Sequence, residues 1–263
     1  MTASQKLIAE KDGAIGWLTF NNPARRNALG YAMWDGIAPI IEDFADDADI
    51  RVVVLRGAGD AAFSAGADIS EFEAVRSTPE QVVHYDAAGD RASASIRGVG
   101  KPTIAMIRGF CVGGGMGLAL DCDLRIASQG ARFGIPAAKL GIGYDHSGVA
   151  RLVDLVGPSF AKEMFFTGRQ FTAHEALAMG LINKLTDEDA LEAEIRGTCQ
   201  TIAANAPLSH HCMKTTIDEL TRRDRAPDFE LCEDLVARCF ESADYVEGRR
   251  AFMGKRKPVF RGR

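Results

Sequence analysis

The sequence predicts an α/β fold that ends in a helical C-terminal segment, and three observations support this prediction. Short apolar runs at residues 51–56, 102–107 and 124–127, each followed by a glycine-containing turn, are typical of buried parallel strands. Stretches with helical character separate these runs, which is the alternation expected of an α/β core. From about residue 188 onward the strand signal stops and helical periodicity takes over.

The first elements of the core are predicted to be a hairpin and a helix. Residues 6–10 and 14–20 are typical of two strands, because the turn Lys11-Asp12-Gly13 between them suits a tight hairpin. Apolar residues recur at helical spacing over residues 31–44, which predicts a helix there. Pro39 lies within this stretch and weighs against the helix, since proline removes a backbone donor.

The middle of the chain repeats one order of elements. The strand at residues 51–56 leads into a glycine- and alanine-rich loop at residues 58–68, and a polar helix is expected at residues 79–97. After the next strand, a glycine-rich turn opens a helix at residues 114–120, and a third strand follows. This repeated order of strand, glycine-rich crossing and helix is the pattern of an α/β core.

The last part of the chain is predicted to be helical. Three helices are expected, at residues 191–205, 208–220 and 228–242. Pro207 and Pro227 mark the starts of two of them, because proline is favoured in the first turn of a helix. The sequence therefore divides into an α/β core of residues 1–190, which we expect to hold the functional site, and a helical region of residues 191–263.

Composition and charge argue against several function classes. The formal net charge of −5 disfavours nucleic acid as the main partner, because phosphate binding requires a basic face. No apolar run approaches the roughly 20 residues that span a bilayer, so no membrane partner is expected. The first residues lack the apolar stretch of a signal peptide, and we therefore expect a cytoplasmic protein.

The cysteines and histidines show no pattern of a metal site. No CxxC pair occurs among the cysteines, which are Cys111, Cys122, Cys199, Cys212, Cys232 and Cys239. In a reducing compartment these are expected to be buried free thiols. His210 and His211 are neighbours in the sequence and would point to different sides of a helix. We therefore expect no metal ion.

A glycine-rich segment, Phe110-Cys-Val-Gly-Gly-Gly-Met-Gly117, follows a predicted strand and opens a predicted helix. Glycines let the backbone approach a ligand closely, and the free N–H groups at a helix start favour negative charge. A nucleotide phosphate is one candidate ligand, although neither GxGxxG nor GxxxxGK[ST] is present. The segment taken alone is equally consistent with a tight crossing from strand to helix.

A second segment, Phe63-Ser-Ala-Gly-Ala-Asp68, follows the other buried strand. Together the two segments resemble the paired signatures of the enoyl-CoA hydratase/isomerase (crotonase) superfamily, F-x-A-G-A-D and G-G-G. The resemblance covers about residues 14–260. It continues through Lys101-Pro102, Cys122-Asp123-Leu-Arg-Ile-Ala127, Ala131-Arg-Phe-Gly134, Thr167-Gly168, Gly180-Leu181, Glu247-Gly248 and Lys255-Arg256-Lys257. It implies a spiral of ββα units with a helical C-terminal trimerisation region, commonly in a dimer of trimers.

The resemblance also implies an acyl-CoA substrate and an oxyanion hole. The backbone N–H groups of Ala67 and Gly114 match the two donors that hold the thioester oxygen in this superfamily, whose members stabilise enolate anions. We therefore expect a homotrimer or homohexamer that binds coenzyme A only as part of the substrate, with no permanently bound cofactor.

Further residues match the coenzyme A contacts of the superfamily. Ala24, Arg26 and Ala28 match the loop near the nucleotide. The crevice for pantetheine and adenine is matched by Ser64, Ala65, Asp68 and Ile69. Phe252 and Lys255 match tail residues that reach a coenzyme A phosphate, often on a neighbouring subunit.

The sequence departs from a hydratase at both catalytic carboxylates. A crotonase-type hydratase has one glutamate where this chain has Gly117 and a second where it has Ala137. Hydration requires one group to activate water and another to protonate the α-carbon, and each is worth roughly 10²–10⁴ in rate. A conventional hydratase mechanism is therefore not expected, and an isomerase that relies on the second glutamate is equally compromised.

The loop Leu140-Gly-Ile-Gly-Tyr-Asp-His-Ser147 offers replacements. Asp145 matches the aspartate nucleophile of the 4-chlorobenzoyl-CoA dehalogenase branch, and Tyr144 resembles the tyrosine of methylmalonyl-CoA decarboxylase-like members. Our hypothesis makes Asp145 the acid, base or nucleophile, with Tyr144 and His146 as helpers, and expects burial to raise the Asp145 pKa above about 3.9. The alternative is that Asp145 caps a helix starting near Ser147.

Three functions follow from these residues. The first is an enzyme that carries out a lyase-type reaction on an acyl-CoA through an enolate, or a decarboxylase or hydrolase that uses Asp145. The second is a catalytically silent oligomer that binds coenzyme A esters, because Gly117 and Ala137 replace the usual glutamates. The third, nucleic-acid binding, is disfavoured by the acidic balance of the chain.

Overall fold

The computed structural model describes residues 6–263, and two β-sheets organise this part of the chain. The strands are Leu7–Asp12 (β1), Ile15–Phe20 (β2), Val52–Gly57 (β3), Ala62–Ser64 (β4), Thr103–Ile107 (β5), Phe110–Val112 (β6), Leu124–Ser128 (β7), Arg132–Gly134 (β8), Phe171–Thr172 (β9) and Lys184–Thr186 (β10). The larger sheet has the order β1-β2-β3-β5-β7-β10, and the smaller one has the order β4-β6-β8-β9. Strands β1 and β8 pair antiparallel with β2 and β9, and the other neighbours are parallel.

Three consecutive ββα units build the core, as the α/β prediction and the family resemblance implied. In each unit the first strand joins the larger sheet and the second joins the smaller sheet, before a helix returns the chain. The helices are Tyr31–Asp46 (α1), Phe72–Val75 (α2), Pro79–Gly98 (α3), Gly114–Asp121 (α4), His146–Thr167 (α5), Ala173–Ala178 (α6), Leu191–Ala203 (α7), Pro207–Thr221 (α8), Phe229–Glu241 (α9) and Ala243–Met253 (α10). Helix α5 is interrupted at Gly157, whose φ is +75°.

The larger sheet is apolar on both faces. Leu18 and Leu55 point into the main core, beneath α1 and α3, whereas Trp17 and Val54 point to the opposite face. Helix α7 covers that opposite face with Leu191, Ile195 and Cys199. Because successive strand residues alternate between faces, a strand that is buried on both sides reads as one continuous apolar run. This explains why β3 and β5 were predicted correctly from the sequence.

Most of the predicted elements are confirmed, with small shifts at their ends. The hairpin turns at Gly13, where φ is +57°. Helix α1 forms in spite of Pro39, since the buried side chains on its inner face hold it against the sheet. The predicted helix at residues 228–242 ends at Glu241, and a further helix begins after Ser242, whose hydroxyl accepts a hydrogen bond from Tyr245 N at 3.0 Å. The division of the chain near residue 190 stays a prediction.

Buried polar groups tie the elements together. The carboxylate of Asp123 accepts hydrogen bonds from Thr103 N at 2.7 Å and from Lys214 Nζ at 2.9 Å, and so joins β5, β7 and α8. Asp121, at the end of α4, lies 3.3 Å from Arg151 Nε.

All six cysteines are free, and Cys232 and Cys239 are only partly buried. No helix within residues 6–263 combines the length and apolar character required to cross a membrane.

Candidate active site

Two glycine-rich turns bring the backbone nitrogens of Ala67 and Gly114 together. Gly66 and Gly113 precede them with φ of +94° and +55°, a conformation that favours glycine. A β-carbon placed on Gly66 would lie 3.1 Å from Gly114 N, and one placed on Gly114 would lie 3.6 Å from Ala67 N. Only glycine therefore permits the two turns to approach this closely.

The N–H groups of Ala67 and Gly114 donate no hydrogen bond to any atom of residues 6–263. The residues on both sides of Ala67, and the residue before Gly114, have engaged backbone groups. Leu29 N donates to Gly66 O at 2.8 Å, Asp68 N donates to Leu29 O at 2.9 Å, and Gly113 N donates to Gly134 O at 2.9 Å. Gly114 also begins helix α4, whose dipole places partial positive charge at this end. The pair forms a small site suited to an oxygen that carries negative charge.

An aromatic wall borders this pair of donors. A β-carbon on Gly114 would lie 2.9 Å from Trp34 Cζ2, so the indole of α1 touches the turn. Trp34 Nε1 donates a hydrogen bond to the Tyr85 hydroxyl at 3.0 Å, and burial raises the pKa of Tyr85 to about 12. Sequence analysis missed both residues, because their only signal was the apolar face of a helix, which the core explains equally well.

Tyr144 is a further aromatic residue near the two donors. Its hydroxyl is 3.9 Å from the position that a β-carbon on Gly113 would occupy. The ring packs edge-to-face against Phe165, with 5.4 Å between the centroids. Although Tyr144 is 38% exposed, partial desolvation raises the pKa of its phenol above the ordinary value, so that the phenol stays protonated at neutral pH. The structure therefore places Tyr144, one of the predicted site residues, beside the turn at Gly113.

Gly117 and Ala137, the two positions at which a hydratase was expected to have glutamates, differ in their surroundings. A β-carbon placed on Gly117 would meet nothing within 4 Å, so a side chain is accommodated there. Ala137 is buried at the start of a short 3-10 helix, Ala137–Lys139. Neither position carries a group that moves a proton.

Asp145 contradicts the expectation that burial raises its pKa. Its side chain is 65% exposed, and hydrogen bonds from Ser147 lower the pKa of the carboxyl to about 2, with a further contribution from His146. Ser147 N donates to Asp145 Oδ2 at 2.9 Å, which caps helix α5. Asp145 is thus the N-cap of α5, and its catalytic role stays a prediction. The His146 side chain is 96% exposed and lies 2.9 Å from the Asp145 carboxylate.

The residues predicted to contact coenzyme A lie on two loops that are joined by hydrogen bonds. Ala65 N donates to Arg26 O at 2.9 Å, and Ser64 Oγ donates to Asn27 O at 2.8 Å. Ala28 is buried between these bonds, whereas Ala24 and Arg26 are exposed on the same loop. The predicted members of both loops therefore lie side by side next to Ala67, where the crevice for coenzyme A is expected.

Asp68 fixes the conformation of the loop directly after Ala67. Its buried carboxylate accepts hydrogen bonds from Arg25 Nη1 at 2.9 Å and from Ser70 N at 3.2 Å. Burial opposes ionisation, but the hydrogen bonds from Ser70 and Arg25 outweigh it and lower the pKa of Asp68. It caps the short helix Ile69–Glu71, whose Ile69 side chain is exposed. Arg25 was not singled out in the sequence, and its exposed guanidinium adds a cation to the crevice.

The structure does not bring Phe252 and Lys255 to this crevice. Phe252, near the end of α10, is 83% exposed, and Lys255 lies in the turn beyond it. Helix α10 packs mainly on α9. The expectation that both residues reach coenzyme A on a neighbouring subunit stays a prediction.

Within residues 6–263, no group of three or more histidine, cysteine or acidic side chains is arranged to hold a metal ion.

Comparisons with known proteins agree with this geometry. The family model described as Enoyl-CoA hydratase/isomerase matches residues 10–263. A short-chain-enoyl-CoA hydratase of Clostridium acetobutylicum is 34% identical over 95% of this chain and 95% of its own length. A solved structure described as an enoyl-CoA hydratase/carnithine racemase from Magnetospirillum magneticum is 39% identical, with a TM-score of 0.93 over 98% of this chain and 96% of that one. A putative family protein from Hyphomonas neptunium is 35% identical, with a TM-score of 0.93 over the full length of both chains.

Proposed function

Because the chain belongs to the enoyl-CoA hydratase/isomerase family, we propose that it binds an acyl-CoA thioester and stabilises the enolate formed from the acyl group. The observation that carries this proposal is the pair of unpartnered N–H groups on Ala67 and Gly114. They hold the thioester oxygen and bind it more strongly once it has become an enolate oxygen. Each such donor is worth roughly 10²–10³ in rate.

Coenzyme A occupies the crevice between the loops around Arg26 and Ser64, and the guanidinium groups of Arg25 and Arg26 offer charge for its phosphates. We further propose a homotrimer or homohexamer, in which Phe252 and Lys255 complete the site of a neighbouring copy. The C-terminal helices support assembly, since they expose large apolar side chains whose burial is favourable. These include Ile217, Leu220, Phe240 and Met253.

Proton donation falls to Tyr144 rather than Asp145. A carboxyl with a pKa of about 2 is ionised at neutral pH and has no proton to donate, whereas the Tyr144 phenol keeps its proton. A reaction that needs an enolate and a single proton donor fits this site. Decarboxylation is such a reaction: the bond to the leaving carboxylate breaks, its electrons form the enolate, and carbon dioxide departs. Tyr144 then donates its proton to the α-carbon and regains one from water.

Hydration of an enoyl-CoA is the second candidate, and it is favoured by the relatives described as hydratases. This reaction adds water across a double bond and passes through the same enolate. It would require a base for the attacking water that neither Gly117 nor Ala137 supplies. The oxyanion hole serves both reactions. The two candidates are therefore distinguished by which ester is consumed and by whether Tyr144 is required.

A panel of coenzyme A esters, analysed by mass spectrometry, tests the proposal. It includes crotonyl-, methylmalonyl-, hydroxyacyl- and aromatic acyl-CoAs, with wild type, Tyr144→Phe and Asp145→Asn. We expect one ester to be consumed by wild type and by Asp145→Asn but only slowly by Tyr144→Phe. Binding of every ester without turnover would favour the catalytically silent oligomer. Crotonyl-CoA hydration at full rate in Tyr144→Phe would favour the second candidate.

A further inference from the structure

Arg76 lies in the aromatic wall of the site without a role in the chemistry proposed above. It ends the short helix α2, where its N–H donates to Phe72 O at 2.8 Å. Its guanidinium lies 5.3 Å from the ring centroids of both Phe72 and Tyr85. Tyr85 is hydrogen-bonded to Trp34, which in turn touches the turn at Gly114. On this side, two aromatic residues separate Arg76 from the oxyanion hole.

The charge of Arg76 also acts on Tyr144. Burial is the main influence on the Tyr144 phenol and raises its pKa, and the positive charge of Arg76 partly offsets this. The two groups are therefore close enough to interact electrostatically. The Tyr144 hydroxyl lies beside Gly113, so the phenol on which the charge of Arg76 acts borders one of the two turns of the oxyanion hole.

The hydrogen-bonding capacity of Arg76 is mostly unused. Its Nη2 donates to Asp86 Oδ1 at 2.8 Å, and neither Nη1 nor Nε donates to any atom of residues 6–263. The side chain is 25% exposed, so these donors are partly removed from water. A guanidinium carries five N–H donors in a planar fork that matches a carboxylate. The ion pair with Asp86 uses Nη2, and the N–H groups of Nη1 and Nε remain available.

We propose that Arg76 recognises the far end of the acyl group, and that the preferred substrate is an acyl-CoA with a carboxylate there. This inference rests on the proposed function, because it assigns the acyl chain to the wall beside the oxyanion hole. Arg76 donates to the substrate carboxylate through the edge not used by Asp86, with the rings of Phe72 and Tyr85 behind it. Asp86 competes for the same cation and therefore limits the affinity.

The test compares binding of glutaryl-CoA with that of its neutral isostere glutaramyl-CoA, by isothermal titration calorimetry. Wild type is expected to bind glutaryl-CoA about tenfold more tightly, the effect of one charge-assisted contact at a partly exposed site. In Arg76→Met the ratio falls to about one, with affinity for glutaramyl-CoA retained. In Asp86→Asn the ratio rises, because the competing carboxylate is gone. The wild-type preference also decreases at high ionic strength.

Each outcome separates this inference from the proposed function. Equal binding of the two esters by wild type overturns the role of Arg76 but leaves the acyl-CoA site intact. If neither ester binds, and butyryl-CoA does not bind either, the proposed function itself fails. The Asp86→Asn variant protects the test against misfolding of Arg76→Met, since it changes the ratio in the opposite direction. A ratio that is unchanged in Asp86→Asn counts against the proposal.

Discussion

A β-carbon placed on Gly114 would lie 3.6 Å from the backbone nitrogen of Ala67, although the two residues are 47 positions apart in the sequence. This approach joins the loop after β4 to the start of helix α4 and places two unused N–H groups side by side. The site is therefore made by the backbone. The close approach of the two turns depends on the absence of side chains at Gly66 and Gly114.

Gly114→Ala is expected to lower kcat by about 10²–10³, the effect of losing one oxyanion donor. The new methyl group would meet Trp34 Cζ2 at 2.9 Å and push the turn away from Ala67. Steady-state kinetics together with thermal unfolding check this prediction. The matched control is Gly197→Ala in the middle of α7, where a β-carbon meets nothing within 4 Å. Equal activity in the two variants would contradict the role of Gly114.

Tyr144→Phe is expected to lower kcat by roughly 10²–10⁴, because the variant loses a general acid while keeping the ring that packs on Phe165. The pH profile gives a second readout. Burial raises the pKa of Tyr144, so the protonated, active form persists to higher pH than that of a free tyrosine, whose pKa is about 10. Deprotonation of Tyr144 should therefore cause no decline in wild-type kcat below about pH 10. A decline near neutral pH would contradict the assignment.

Asp145→Ala and Asp145→Asn distinguish a helix cap from a catalytic carboxylate. Asparagine caps helices about as well as aspartate, whereas alanine does not, so only Asp145→Ala is expected to lower the free energy of unfolding, by about 1 kcal/mol. Both variants lack the carboxylate and are expected to retain activity. Chemical denaturation and kinetics measure the two effects. Loss of activity in both variants with unchanged stability would restore the catalytic interpretation.

The Asp145 cap should also make stability depend on pH in one window. The folded-state pKa is depressed to about 2, below the value of about 3.9 expected in the unfolded chain. The contribution of the carboxylate is therefore present above about pH 4 and is lost as the pH falls toward 2. The difference in denaturation midpoint between wild type and Asp145→Ala should shrink over this window. A difference that stays constant down to pH 2 would argue against a carboxylate cap.

Introduction of both missing carboxylates, in Gly117→Glu/Ala137→Glu, is expected to produce measurable crotonyl-CoA hydration. Position 117 has room for a side chain, whereas Ala137 is buried, so the double variant is expected to be less stable than wild type. The control is the double glutamine variant, which has the same shape without the acid and base. Activity equal to that control would show that the two glutamates are not what this site lacks for hydration.

The sequence predicted five of the six strands of the larger sheet and most helices, because these elements have strong local signals. Strand β3 is a continuous apolar run, and α1 has a clear apolar face that tolerates Pro39. The smaller sheet was not predicted. Its strands have two or three residues each, too few to show a period, and they form only through pairing with neighbours distant in the sequence.

The site was predictable where it consists of backbone and unpredictable where it consists of distant side chains. Ala67 and Gly114 were identified through the resemblance of their glycine-rich segments to the family motifs. The contact between Trp34 and Tyr85 joins residues 51 positions apart and has no local signature. The expected burial of Asp145 was wrong, because a loop sequence does not reveal burial. In the structure its carboxylate faces solvent and caps α5.

Deuterium incorporation during turnover in heavy water tests the enolate most directly. Whichever ester the enzyme consumes, protonation of an enolate by Tyr144, whose proton exchanges with solvent, places a single deuterium on the α-carbon of the product. Mass spectrometry of the product is expected to show that deuterium, with slower formation in Tyr144→Phe. A product formed at the wild-type rate without deuterium on the α-carbon would contradict the enolate and indicate chemistry confined to the thioester.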